Sequence, residues 1–153
     1  MVFTEGNIFK FTPFYFSNNS SPKDKFFVVI GQHTSDSDKI ILASLPTSKD
    51  HIPTGEEVDH GCVELPHANF NCFTISPEIT VTTCGKQFPK STFLEGHNLT
   101  SVSESQMKGQ YPIEGVNYHI WGQMENGLLS EIKSCFSNSA SVKRKYKKML
   151  KTG

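Results

Sequence analysis

Three apolar, β-rich runs crowd into the first 45 residues: "GNIFKFTPFYF" at 6–16, "FFVVIGQ" at 26–32 and "IILASL" at 40–45. Val, Ile, Phe and Tyr fit a pleated, half-buried surface better than a helix. The separators, "SNNSSPKDK" and "TSDSDK", are built from Ser, Asn, Asp and Lys, which close turns. Strands this closely spaced predict an antiparallel meander joined by hairpin loops. In the first run, Pro13 predicts an edge or a bend, because proline brings no N–H to a sheet ladder.

Further on, "CFTISP" and "ITVTT", between residues 72 and 83, carry the same β-branched character, and 62–65 predicts a short strand. "FPKSTFL" is expected to be extended or a single helical turn, and 101–118 to be loop with a short strand or turn. Helical periodicity is concentrated at the end. Leu128, Leu129, Ile132, Cys135 and Phe136 recur at spacings of three and four, which places them on one face of an amphipathic helix. Val142, Tyr146, Met149 and Leu150 form a second stripe among lysines, with Ser139 or Ser141 as an expected N-cap. Strands first and helices late predict an α+β domain: a small curved antiparallel sheet or barrel, with strands 7–16, 26–31, 40–45, 72–76 and 79–83 in one sheet and C-terminal helices.

At 153 residues the chain makes one domain, with a sheet core over 1–100 and a helical, basic end over 126–150. Its apolar fraction of 36% and its twelve Phe supply a core without help from cross-links. No apolar run approaches the roughly 18 residues of a membrane span. The opening "MVFTEGNIFKF" lacks the basic and apolar regions of a signal peptide, so a cytoplasmic location without membrane contact is expected. In that setting Cys62, Cys72, Cys84 and Cys135 are expected to be free thiols. Net charge is zero, yet no acid follows Glu131, while Lys133, Lys143, Arg144, Lys145, Lys147, Lys148 and Lys151 do. Arg144 is the single arginine of the chain.

The "G-x-I-F" opening, the basic end of the loop before "FFVVI", and the strand that runs into "LPTSKDHIP" resemble the MazF/PemK-like toxins of toxin–antitoxin systems. "ITVTTCGKQFPKSTFL" is more loosely similar to the late strand and short basic stretch of that family. The resemblance spans about residues 5–99 and is densest over 23–53. It implies an SH3-like barrel, a homodimer, an antitoxin partner, and a metal-independent endoribonuclease that cuts single-stranded RNA without a cofactor. In the family an arginine acts near a Thr or Ser. Here Lys25-Phe26 stands where the family carries Arg-Pro, so the phosphate cation would be a lysine.

The resemblance therefore implies Lys25, Thr47, Ser48 and His51 as catalytic residues, with Lys23, Lys49, Lys86 and Lys90 on the RNA. Cleavage through the 2′-hydroxyl needs a proton acceptor, a donor to the leaving 5′-oxygen and a cation on the phosphate, and these residue types supply all three. Lysine neutralises a phosphate as a point charge, without the fork of arginine. Without the arginine, the alternative is a non-catalytic module that binds RNA or a protein partner; a purely structural scaffold is the third possibility. As an ordinary solvated loop, "PTSKDHIP" needs no function at all. Asp59, His60, Cys62, His67 and Cys72 are zinc-ligand types, but their spacing lacks the paired knuckles of structural zinc sites, so no metal is expected. The lysine-rich end either contacts RNA phosphates or is a solvated helix face.

Overall fold

The early apolar runs do form neighbouring antiparallel strands. A computed structural model describes residues 3–16, 20–33, 36–46, 52–53 and 55–152. Its strands are β1 (Asn7–Phe14), β2 (Lys23–Gln32), β3 (Lys39–Ser44), β4 (Gly61–Leu65), β5 (Phe70–Ile75), β6 (Thr92–Glu95), β7 (Thr100–Ser103) and β8 (Tyr118–Gln123). Its helices are α1 (Glu104–Gln110), α2 (Asn126–Ser137) and α3 (Arg144–Thr152), with 3-10 turns at Pro66–Ala68 and Gly96–Asn98.

The barrel expected from the sequence does not form. A five-stranded sheet runs in the order β7-β3-β2-β1-β8, and a separate three-stranded sheet in the order β4-β5-β6. Strands β7 and β8 end the larger sheet on opposite edges and do not pair with each other, so it stays open. The residues expected to complete one sheet are diverted. Strand β5 pairs with β4 and β6 instead, and 79–83 is turn structure with one isolated bridge, Thr82 to Met124. There the Val81 N–H donates to the Lys86 carbonyl at 2.8 Å, closing a local loop in place of a ladder. In β1 the pairing with β2 shifts register between Phe11 and Phe14, where Pro13 interrupts the donors.

Alternation along β1 and β2 gives the large sheet two apolar faces. Ile8, Val28, Ile30, Ile41 and Ala43 form one, packed against Phe73, Ile75 and Leu94 of the small sheet and against the helices. The α2 stripe Leu128, Leu129, Ile132 and Phe136, and Val142 with Tyr146 and Leu150 of α3, all enter this core, as their spacing predicts. Phe9, Phe11, Phe27, Val29 and Leu42 form the other face, covered by Met107 of α1 and by Tyr111 and Tyr118. The loop and short strand expected at 101–118 therefore include a helix. Ser103 caps it by accepting from the Gln106 N–H, and Asp38 holds its first turn by accepting from the Ser103 and Ser105 hydroxyls and the Ser105 N–H. Ser139 and Ser141 are not caps of α3, which begins at Arg144; they lie in the turn before it.

The cysteines also depart from expectation. Cys62 of β4 and Cys135 of α2 form a disulfide across a sequence separation of 73. Cys72 and Cys84 are free, and burial pushes the Cys72 thiol up to about 12, with Glu95 adding to the shift. Beside the disulfide, Glu64 accepts from the Ser139 hydroxyl at 2.7 Å and the Ala140 N–H at 2.8 Å, pinning the α2–α3 turn to β4. Lys133, buried on α2, meets Glu5 at 3.1 Å and ties the helix to the start of the chain.

A cross-link over a loop this long restricts the unfolded chain and contributes about 2–4 kcal/mol. Cys62→Ala and Cys135→Ala should each lower the thermal midpoint by about 5–15 °C. Reductant should produce the same loss in wild type and no further loss in either variant. A wild-type midpoint indifferent to reductant would show that the two thiols are not bonded.

Candidate functional site

The second face of the large sheet is longer than the helix that covers it. Where α1 stops, a groove of about 1130 Å³ opens over β2, β3 and β7. Phe27, Leu42, Val102 and Met107 contribute apolar walls, and Phe14, Tyr15 and Phe16 stand along one side. Lys25, Lys39 and Lys145 bring positive charge to it, and Glu95 brings a carboxylate.

Strand register explains why Lys25 faces this groove. It pairs with Phe11, and alternation puts it on the same face as Phe27 and Val29. Its ammonium lies 5.3 Å from the centre of the Phe16 ring, and that of Lys23 lies 5.8 Å from the same ring, both within cation–π range. Partial burial holds the Lys25 ammonium below the usual lysine value; the nearby Lys23 charge lowers it further, and Glu95 opposes both. The aromatic side is itself a packed unit. Phe14 stacks on Tyr111 at 5.9 Å, and the Tyr111 hydroxyl accepts from the Tyr15 N–H at 3.0 Å.

Of the residues singled out in the sequence, Lys23 and Lys25 converge on Phe16 at this groove. Thr47, Ser48, Lys49 and His51 lie outside the described residues; in the chain they follow directly on Pro46, which lines the groove. Lys86 lies elsewhere. Its ammonium donates to the Trp121 carbonyl at 2.6 Å and sits 5.2 Å from the indole centre, and Trp121 packs against the core on the opposite face of the sheet. Lys90 is exposed on the loop before β6 and does not line the groove.

The zinc-type residues do not share a site. Cys62 is bonded to Cys135, His60 packs edge-on against Phe73, His67 is in the 3-10 turn at Pro66–Ala68, and Cys72 is buried. Among the described residues no three metal-ligand types converge. A smaller hollow of about 720 Å³ flanks the disulfide, but its lining includes Glu64 and Glu131 and no cation. No helix among the described residues is long and apolar enough to cross a membrane.

Glu95, Asn98, Lys39 and Lys145 are groove residues that the sequence did not single out as a site. Lys145 carried a partial signal, since the acid-free run after Glu131 marks a cationic surface. In α3 Tyr146 and Leu150 are buried while Arg144, Lys145 and Lys148 are exposed, so the helix presents its charge away from the core. The chain matches no family model, no curated protein and no solved structure.

Desolvation of Lys25 sets a pH test. Because its folded value lies below 10.5, the unfolded chain binds the proton more tightly, and wild-type stability gains with rising pH between the folded value and 10.5. Lys25→Met removes the ammonium and keeps an apolar stem. It should be at least as stable as wild type near neutral pH, with a difference that narrows as pH approaches 10.5. Denaturant unfolding of both proteins across that range measures it. A difference that stays constant or widens would show that the ammonium is not desolvated.

Proposed function

We propose that the protein binds single-stranded RNA in this groove and cuts it, as a MazF/PemK-like endoribonuclease. The observation that carries the proposal is the position of Lys25. It stands where the resemblance places the family arginine, and it lies half-buried in a groove beside Phe14, Tyr15 and Phe16. Lysines in a groove neutralise phosphates, and bases stack on aromatic rings with about 1–3 kcal/mol per base, largely regardless of sequence. Lys39 and Lys145 extend the positive charge along the groove. Thr47, Ser48 and His51 supply hydroxyls and an imidazole on the segment that leaves Pro46, in the roles the resemblance implies. A homodimer, a silencing antitoxin protein and a cytoplasmic site of action belong to the same proposal.

Growth on induction and cleavage of a long single-stranded RNA in EDTA test it. Wild type should arrest growth and cut. Lys25→Ala should cost roughly 1.5–3 kcal/mol of charge-assisted contact, a loss of roughly 10- to 150-fold in rate. Lys25→Arg should keep RNA binding, because it supplies the planar fork to the phosphate. Thr47→Val should lose activity at unchanged stability if the hydroxyl takes part in the chemistry. Salt-dependent binding without cutting would leave a non-catalytic RNA-binding module, and no RNA binding at all would refute the proposal.

A further inference from the structure

We propose that Glu95 is the general base of this groove, held in place by His97 and Asn98, with Lys25 as the acid that protonates the leaving group. The role rests on the RNA-cleaving function proposed above. A carboxylate in a phosphate-binding groove repels its ligand, so its presence beside Lys25 calls for a use. Glu95 ends β6 and lines the groove together with Lys25 and Asn98. It is 15% exposed and His97 is 19% exposed, so neither is a freely solvated surface group.

The carboxylate is also oriented. His97 Nε2 lies 2.9 Å from Glu95 Oε2, and the Asn98 side-chain amide donates to the same oxygen at 3.1 Å. His97 Nδ1 lies 3.1 Å from the Asn71 nitrogen and 2.9 Å from the Asn71 carbonyl oxygen, so the ring is fixed at both ends. Nδ1 accepts from the Asn71 N–H in one tautomer and donates to the Asn71 carbonyl in the other, so either one ties the ring to β5. The Asn98 amide and the His97 ring both meet Oε2, and among the described residues no hydrogen bond reaches Oε1. A carboxylate with one oxygen anchored and the other free is arranged to accept a proton. Glu95 also lines the groove with Lys25, and its charge partly offsets the lowering of the Lys25 value by burial and by Lys23.

The chemistry balances without a co-reactant. The 2′-oxygen attacks phosphorus, and its proton passes to Glu95 Oε1. The bond from phosphorus to the 5′-oxygen breaks, and that oxygen takes a proton from the Lys25 ammonium. The products are a 2′,3′-cyclic phosphate and a 5′-hydroxyl, and exchange with water returns both side chains to their starting forms. A lysine whose ammonium is destabilised by burial gives up its proton more readily than a solvated one.

Glu95→Gln tests the role by separating binding from cutting. The probes are the long single-stranded RNA used above and its fully 2′-O-methylated form, which lacks the attacking hydroxyl and reports binding alone. Single-turnover cleavage should fall by at least about 100-fold. Affinity for the methylated strand should hold within about threefold, or tighten as the repelling charge is lost. Cutting within about threefold of wild type would overturn the role and leave the RNA-cleaving function standing. Loss of binding together with a lower thermal midpoint would make Glu95 structural and also overturn it. Should Glu95→Gln not fold, Glu95→Asp decides: slower cutting by a folded protein supports the role, and undiminished cutting ends it. A wild type that does not cut removes the parent function and this role together.

Discussion

A sheet that is apolar on both faces has to be covered on both. Strands β1, β2 and β3 bury Ile8, Val28 and Ile30 on one side and Phe9, Phe11 and Phe27 on the other, each large side chain contributing about 1.5–3 kcal/mol only while water is kept away. One side receives a complete cover from α2, α3 and the small sheet. The other receives α1, whose 7 residues span about 10 Å, against about 33 Å for the 10 residues of β2. The groove is the uncovered remainder of that mismatch. Its aromatic side serves two ends at once: Phe14 packs on the buried Tyr111 and also lines the groove, where the helix does not reach.

The packing that orients the groove carboxylate lies behind it. A Cβ on Gly96 would stand 2.1 Å from Asn71 Oδ1 and 2.6 Å from Phe136 Cδ1, so only glycine lets the turn after β6 approach α2. Glu95 and His97 flank that glycine, and Asn71, which holds the His97 ring through its backbone, also donates its side-chain amide to Glu64. Glu64 in turn fixes the α2–α3 turn. The position of Glu95 is thus set by the same contacts that join the small sheet to the helices.

What the sequence made legible was local. The apolar runs gave β1, β2 and β3, and the three-and-four spacing of Leu128, Leu129, Ile132 and Phe136 gave α2 and its buried face. Closure was not local. Whether β3 finds β7, as Ile40 does Val102, depends on residues far apart in the chain, and no short pattern encodes it. Residues 79–83 have strand composition but lose to a turn closed by Lys86. Helix α1 had a readable signal in Ser103 and Gln106, spaced as in a capping box, but only Met107 is buried along it, so hydrophobic periodicity was silent. For the site, alternation puts Lys25 on the face that carries the groove. Lys39, Glu95 and Lys145 meet it only through the fold, and the Cys62–Cys135 pairing was likewise invisible to cysteine counting.

The disulfide also alters what a break in the chain means. Cys62 and Cys135 enclose the whole stretch that contains β5, β6, β7, α1 and β8. Cleavage of any single peptide bond inside that stretch yields two polypeptides that remain one covalent molecule. The exposed tip around Ile113 and Val116 lies within it. A protease that clips this tip would leave both pieces tethered and paired through their remaining strands, so damage there would be hidden on a sizing column until reductant and denaturant together released the fragments.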